Sequence, residues 1–351
     1  MKIFHAADLH LGSPFASLPP EAAQRQRKLQ LEHLPRKMQY AVWKAECDLV
    51  LLAGDIFDRP RVTHHEWMTL YDSLEKMRVP VFIAPGNHDP YTADSIWATL
   101  QWPDNVHIFT GDMEAVTLPE LKCRVWGAAF RGPEAEGLLR PIPKADDGFL
   151  EIGVFHGDPV YDSPYNPISK ELLETCGLHY LALGHIHKRR TIERAGDTCY
   201  GWPGVPMGRG FDETGCCGAL SVVLTAQGFA AGNVSMGMPQ YQILEVPAAE
   251  LSIPSEMDGS LLRLILTGES DPIDIKALHA RLADRFAYLE IEDRTERKRD
   301  LWASCGDGTL RGLTMDILKD RYISAHTDED RETALLAARY AVAAMEGRDE
   351  P

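Results

Sequence analysis

The sequence predicts an α/β (α+β) protein with two sheets, and three features carry that prediction. Apolar runs of about strand length recur with helix-like stretches between them, the pattern of βαβ units. Several of these runs are apolar throughout rather than alternating, as strands buried on both faces are. Each stops abruptly at a cluster of Gly, carboxylate, amide or imidazole groups, which places polar residues at the strand ends where α/β proteins bind ligands.

Residues 2–7 (KIFHAA) read as a short buried strand that delivers Asp8-Leu9-His10. In an extended segment residues i and i+2 point to the same side, so this carboxylate and imidazole are expected to face one ion. Residues 20–46 carry helix formers at loosely helical spacing, interrupted by Pro35, which predicts two helices or one kinked helix. His33, inside that stretch, reads as a solvated or capping histidine. Strand 49–53 leads to Gly54-Asp55-Ile56-Phe57-Asp58, a helix covers 64–78, and strand 79–84 ends at Pro85-Gly86-Asn87-His88-Asp89.

Short strands near 106–109 and 123–127 precede a Pro- and Gly-punctuated loop over 131–148. Strand 151–155 ends at His156-Gly157-Asp158, and strand 179–183 at Gly184-His185-Ile186-His187. Residues 198–237 read as antiparallel strands with Gly-rich turns that complete the second sheet. The expected organisation is a main domain over 1–238, a small α/β module over 239–295 and a helical segment over 296–351. The module holds strands 241–246, 261–267 and 287–292 with a helix over 273–286, and the terminal helices cover about 310–320 and 330–346. The run Thr295–Asp300 (TERKRD) reads as a solvated linker.

At 351 residues, with 44% hydrophobic and 25% charged residues, the composition is that of an ordinary globular protein, and an enzyme is not excluded. No apolar run reaches the ~18 residues of a membrane span, and MKIFHAADLH lacks the features of a signal peptide. The seven cysteines, at 47, 123, 176, 199, 216, 217 and 305, include no C-x-x-C pair, which argues against a disulfide framework and a zinc ribbon and for the cytoplasm. A formal charge of −16 disfavours a nucleic-acid substrate, but the acidity is uneven: residues 241–351 hold 23 acidic and 14 basic side chains. Carboxylates that bind divalent cations also count as negative here, although the ions offset them.

In chain order the polar clusters are Asp8-x-His10, Gly54-Asp55-x-x-Asp58, Gly86-Asn87-His88-Asp89, His156-Gly157 and Gly184-His185-x-His187. A lone D-x-H is weak evidence, whereas a given string such as GNHD is expected on the order of once in a thousand proteins. This ordered set resembles the five signature motifs of the calcineurin-like metallophosphoesterases, over roughly residues 1–225. Within them, HAADLHLGSPF, GDIFDRP and APGNHD look like the SbcD and Mre-type DNA repair exonuclease family, as does the stretch from Trp202-Pro203-Gly204 to Gly210-Phe211-Asp212-Glu213-Thr214-Gly215 and Gly218.

The resemblance implies the metallophosphoesterase fold, a two-sheet β-sandwich flanked by helices, with a capping-like domain over 239–295. It also implies two divalent ions, one held by Asp8, His10, Asp55 and His187 and the other by Asp55, Asn87, His156 and His185, with Asp55 as the bridge. Such a pair of ions activates a bridging hydroxide for in-line attack at phosphorus, so no protein nucleophile is needed. His88 is then the non-ligand histidine that assists at the phosphate or leaving group, and Asp58 accepts a hydrogen bond from it and orients its ring. Asp58 as a local cap is the bland alternative, and Asp89 reads as structural. Mixed imidazole, amide and carboxylate donors favour Mn, Fe or Zn over Mg or Ca. Mn2+ is the choice the resemblance implies.

Arg59, Arg61, Arg189 and Arg209 flank the motifs and are candidates for a positive rim along a phosphodiester backbone, ordinary solvated charge being the alternative. Phe15, Tyr91, Tyr161 and Tyr165 follow motif segments and are candidates to stack on a base, although wall or core packing is the plainer role. The terminal helices carry apolar residues such as Leu310, Leu313, Ile317, Leu336 and Tyr340. Packing back on the body is their plain reading, and docking on an SbcC-like SMC-type ATPase coiled coil is the functional one. The expected partners are thus DNA, that ATPase and a second copy of the chain, with no membrane.

The expected function is a metal-dependent DNA exonuclease or endonuclease in DNA repair. A phosphodiesterase or phosphatase on nucleotides or phosphoproteins keeps the chemistry and changes the substrate, and the acidic charge favours it. A non-catalytic scaffold that acts through its C-terminal helices is a third reading, opposed by the completeness of the motif set.

Overall fold

The computed structural model describes residues 1–143, 147–160, 162–190, 192–215, 218–225, 228–297 and 300–347. Tyr161, Cys216, Cys217 and part of the Thr295–Asp300 run fall outside them. The chain begins β1 (Lys2–Ala6), α1 (Pro20–Ala45), β2 (Leu49–Leu52), α2 (His64–Met77), β3 (Val81–Ile83), α3 (Ile96–Thr99) and β4 (Val106–Ile108). It continues with β5 (Glu114–Leu118), β6 (Cys123–Gly127), β7 (Leu150–His156), α4 (Lys170–Thr175), β8 (Tyr180–Gly184), β9 (Glu193–Ala195) and β10 (Thr198–Gly201). Next come β11 (Gly218–Thr225), β12 (Gly228–Ser235), β13 (Tyr241–Pro247), β14 (Leu261–Thr267) and β15 (Glu269–Ser270). The last elements are α5 (Ile275–Leu282), β16 (Tyr288–Asp293), β17 (Glu296–Arg297), α6 (Leu310–Ser324) and α7 (Asp328–Met345).

Two six-stranded sheets form the larger of two compact units, which comprises Met1–Leu244, Ile253–Leu264 and His279–Glu290. The first has the order β12-β11-β1-β2-β3-β4; β1 to β4 run parallel, β11 is antiparallel to β1, and β12 is antiparallel to β11. The second has the order β5-β6-β7-β8-β10-β9, with β6, β7, β8 and β10 parallel and an antiparallel strand at each edge. Because the strands within each parallel set share a direction, the polar ends of β1, β2 and β3 fall along one edge, and so do those of β7 and β8.

The apolar runs explain the layers. Phe4, Val50, Leu52, Val81 and Ile83 cover one face of the first sheet and pack against Leu34, Met38 and Val42 of α1 and Leu70 and Leu74 of α2. The alternate residues Ile3, Leu49, Leu51 and Phe82 meet Val125, Ile152, Val154 and Ala182 of the second sheet. Phe155, Leu181 and Leu183 line that sheet's far face beside Leu173 of α4. Side chains of this size contribute about 1.5–3 kcal/mol each when fully buried. The two-sheet sandwich flanked by helices is therefore the fold that forms.

Two local features differ from or complete the sequence reading. The first helix is a single element through Pro35, not a pair, and the Pro35 carbonyl accepts the Ser73 hydroxyl from α2. Thr63 and Glu66 close a reciprocal capping box at the start of α2, each side chain accepting the other residue's backbone N–H.

His5 is a polar group buried between the sheets. Its Nε2–H donates to the Leu183 carbonyl (3.2 Å) and its Nδ1 accepts the Tyr180 hydroxyl (2.8 Å), so the neutral ring is satisfied on both sides. Burial pushes its pKa down from 6.5 to about 3. The unfolded chain therefore binds a proton here at pH values where the folded chain does not, and stability should fall as pH drops through that window. The expected slope approaches about 1.4 kcal/mol per pH unit. Urea unfolding at several pH values between 7 and 4 should show it, and His5→Asn, which does not titrate, should lack this part of the slope.

The smaller unit comprises Glu245–Ser252, Ile265–Leu278 and Ile291–Pro351. Within it, α6 and α7 pack through Met315, Ala338 and Val342. The Thr309 and Thr327 side chains cap these helices, accepting the N–H groups of Gly312 and Asp330. Leu310, Leu313 and Ile317 of α6 and Leu336 and Tyr340 of α7 are exposed. Among the described residues no helix is long and apolar enough to cross a membrane.

Candidate metal centre

The loops leaving β1 and β2 run side by side: the N–H groups of Asp8, His10 and Leu11 donate to the carbonyls of Gly54, Asp55 and Ile56 at 2.9–3.0 Å. Asp8 and His10 converge, though not by strand alternation. Both lie beyond the end of β1 with left-handed backbones, φ 53° and 43°, and Asp55 (51°) and His185 (98°) share that region. Such backbones cost L residues roughly 1–2 kcal/mol each. They persist because the flanking hydrogen bonds fix them.

Two glycines make the approach possible. A Cβ on Gly86 would lie 2.2 Å from Asp55 Oδ1, and one on Gly54 would lie 2.4 Å from the His156 ring. Behind the cluster, the Trp202 indole N–H reaches the carbonyls of Gly157 and Gly184, both at 3.1 Å, and ties the ends of β7 and β8 together.

All seven predicted ligands are brought together. Single ligand atoms of Asp8, His10, Asp55 and His187 lie within 4.8 Å of one another. His156 Nε2 is 2.9 Å from Asn87 Oδ1 and 3.4 Å from Asp55 Oδ2, and the His185 ring stands edge-on to His156 with centroids 5.2 Å apart. Asp55 takes part in both groups.

The proton positions favour cations. His156 Nδ1–H can only donate to the Ala53 carbonyl (2.8 Å), so Nε2 is the atom aimed at the oxygens of Asn87 and Asp55, carrying a proton to them in the metal-free ring and offering a lone pair once a cation displaces that proton. His187 Nδ1 lies 2.8 Å from the Glu213 carboxylate and 3.0 Å from Arg209 Nη2; when it donates its N–H to Glu213, its Nε2 lone pair faces His10 Nε2 at 3.2 Å. His10 Nδ1 is 3.3 Å from Asp58 Oδ1, close enough for attraction but too bent for a well-formed hydrogen bond. Imidazole nitrogens and carboxylates thus face one another, an arrangement that needs positive charge between them.

The electrostatics agree. Asp8 and Asp55 are buried, each 1% exposed, and no Lys or Arg is paired with either among the described residues. Burial alone would raise the Asp55 carboxyl, but the imidazoles of His156, His10 and His88 hold it far below the usual carboxylate range. Burial would likewise lower His156, yet Asp55 and Asp8 push it up to about 9. A field that retains a proton on a fully buried imidazole also suits a divalent cation, and the mixed N/O donors fit a transition metal.

His88 lies beside this group, with its ring edge-on to His10 at 4.8 Å. The expected carboxylate partner is not the one it has: His88 Nδ1–H donates to the backbone carbonyl of Asp58 (3.1 Å). The Asp58 carboxylate turns instead to the cationic Arg209 Nη1 (3.1 Å) and to His10. Burial would raise Asp58, but His10 and Arg209 hold it low. Arg209 in turn contacts both carboxylate oxygens of Glu213. It is a bracing residue whose donors are largely committed, not a free phosphate contact.

Glu213 has no assigned role in the sequence reading, although it stands in the quoted Gly210–Gly215 stretch. Burial would raise its carboxyl, but His187 and Arg209 hold it well below the ordinary range. It holds the His187 ring through Nδ1. Glu213→Gln should weaken divalent-ion affinity about 10- to 100-fold, measured by calorimetric titration with Mn2+, while the unfolding midpoint changes little.

The remaining candidates are spread around this core. Arg59 donates to the Gly12 carbonyl (2.6 Å) and to Glu66 (2.8 Å); Arg61 is exposed and Arg189 half-buried. Phe15 is fully buried and belongs to the core, Tyr91 is half-buried, and the Tyr165 ring packs 4.8 Å from His185. Asp89 is a structural clamp, accepting the N–H groups of Ile56, Phe57 and Gly86.

Comparison with known proteins follows the same residues. The pattern of the calcineurin-like phosphoesterases matches residues 1–189. The metallophosphoesterase YhaO of Bacillus subtilis (strain 168) is 30% identical over 243 residues, 64% of this chain and 58% of that protein. The DNA double-strand break repair protein Mre11 of Aeropyrum pernix is 24% identical over 58% of this chain and 53% of its own length. The SbcD component of the SbcCD nuclease of Bacillus subtilis (strain 168) is 24% identical over 64% of this chain and 66% of its own. The chain thus spans between 53% and 66% of the length of these relatives.

Proposed function

This chain belongs to the calcineurin-like phosphoesterase family, whose members are metal-dependent phosphoester hydrolases, and from that premise we propose that it is a two-metal DNA nuclease using Mn2+ in the cytoplasm. The observation that carries the reading is the convergence of the His10 and His187 imidazoles on the buried carboxylates of Asp8 and Asp55, with His88 alongside in a second group with His10 and Asp58. The nuclease assignment draws its support from the two relatives named for DNA break repair and for the SbcCD nuclease.

Asp8, His10, Asp55 and His187 would hold one ion, and Asp55, Asn87, His156 and His185 the other. When bound, such ions supply Lewis-acid polarisation of the phosphoryl group and acidify water. The protein's own part is to fix the donors. Ala53 and Glu213 hold the rings of His156 and His187 through Nδ1, and Asp58 and Arg209 brace His10. With its Nδ1–H given to the Asp58 carbonyl, His88 keeps Nε2 for the phosphate or the leaving oxygen.

The exposed apolar residues at i, i+3 and i+7 on α6 (Leu310, Leu313, Ile317) support docking of the C-terminal helices on an SMC-type ATPase coiled coil. The test of the substrate is an Mn2+ assay on end-labelled single- and double-stranded DNA beside a small chromogenic phosphodiester. Degraded DNA, with binding that weakens steeply as salt rises, is the expected result. Intact DNA beside a hydrolysed small diester would instead support the second reading, a nucleotide or phosphoprotein esterase, which the charge of −16 and the committed Arg209 favour.

A further inference from the structure

We propose that the outer edge of β12 is a self-pairing surface, on which a second copy of this chain docks its own β12 antiparallel across a two-fold axis. Among the described residues β12 is an edge strand, paired only with β11 in the sheet order. The N–H and C=O of Leu224 both bond to Met1, and the N–H of Gly218 to Val205, so residues 218, 220, 222 and 224 of β11 turn away from β12. By register, Gly228, Ala230, Gly232 and Val234 are then the residues that bond inward to β11. Phe229, Ala231, Asn233 and Ser235 direct their N–H and C=O groups outward.

Soluble proteins ordinarily protect such an edge with Lys, Pro, a bulge or a very short strand. This one reads GFAAGNVS over eight residues, with no charge and no proline, and is paired with β11 along its whole length without a bulge. Six of the eight residues are exposed. The nearby Arg189 and Arg190 line a cavity of about 290 Å3 with Phe229, Ala231 and Asn233, so their charge sits against one face of the strand rather than on it.

The strand is complementary to itself in one register. With the axis at Gly232, Ala231 faces Asn233 of the other copy and Phe229 faces Ser235, so all four outward residues on each strand form hydrogen-bonded pairs. Gly232 then faces its own copy in the closely spaced non-bonded position. A Cβ there would meet nothing within 4 Å in the single chain, so that position is open. The contact is isologous and closes at two copies.

Light scattering on the full chain, eluted from a sizing column at several micromolar loadings, tests this. The wild type should show twice the 39.2 kDa chain mass. Ala231→Pro removes an outward N–H without touching the β11 ladder, and Asn233→Lys places a charge opposite Ala231 of the other copy; both should elute as monomers with unchanged hydrolysis of a small phosphodiester. A wild type that is monomeric at every loading overturns the proposal and leaves the edge to a strand from another protein. A dimer that survives both substitutions overturns it as well. Should Ala231→Pro not fold, Asn233→Lys alone decides.

Discussion

Asp55→Asn is expected to reduce kcat/KM on any phosphodiester by at least about 10³-fold, because it removes the one carboxylate common to both candidate ion sites. Its Oδ1 accepts the His88 N–H at 2.9 Å, and its Oδ2 lies 3.4 Å from His156 Nε2 and 3.8 Å from His10 Nε2. Asparagine keeps an oxygen for His88 but loses the negative charge, and its amide turns a donor on the imidazoles or loses the backbone contact. The protein should fold and bind less metal. Elemental analysis after dialysis against Mn2+, with initial rates on a small diester, checks both parts. Activity within tenfold of wild type would remove Asp55 from the bridge.

His88→Ala is the second large effect, a fall in kcat of about 10²- to 10⁴-fold with Mn2+ affinity unchanged. The two readouts must separate, because the contact between His88 and Asp55 is made by the backbone N–H, which alanine retains, whereas the ring contacts the Asp58 carbonyl and His10. A matching loss of metal affinity would make His88 a ligand or a ligand support. An unchanged kcat would leave it without a chemical role.

Much of this could be read from the sequence because the informative residues follow strands. The expectations for residues 123–127 and 261–267 agree with the strands that form, and the apolar runs near 49–53 and 151–155 match β2 and β7 within a residue or two. The convergence of the candidate ligands follows the motifs, since a Gly at a strand end allows the close approaches seen at Gly54 and Gly86. What the sequence hid were choices made by three-dimensional neighbours. Pro35 does not split α1, whose neighbour α2 bonds the Pro35 carbonyl through Ser73. Asp58 offers a carbonyl to His88 and a carboxylate to Arg209, and no spacing rule states which oxygen faces which partner. Glu213 sits 26 residues beyond His187, and only folding brings them to 2.8 Å. The two-residue alternation expected at Asp8 and His10 is not the geometry that brings them together, since left-handed turns rather than an extended strand aim them.

The pairing of β1 with β11 governs the order in which the protein can be made. Lys2 precedes its antiparallel partner Val223 by more than 200 residues, so it is synthesised long before that partner. Until then β1 has only β2 beside it, and the second sheet, built from residues 114–201, is complete before the first. The cluster draws Asp8, His10, Asp55 and Asn87 from the first sheet's edge and His156, His185 and His187 from the second's. Its parts therefore meet only when the two sheets dock, and contacts of such long sequence separation form slowly. A nascent chain carries every candidate ligand long before the two sheets can bring them together, and any truncation before β11 leaves β1 without its antiparallel neighbour.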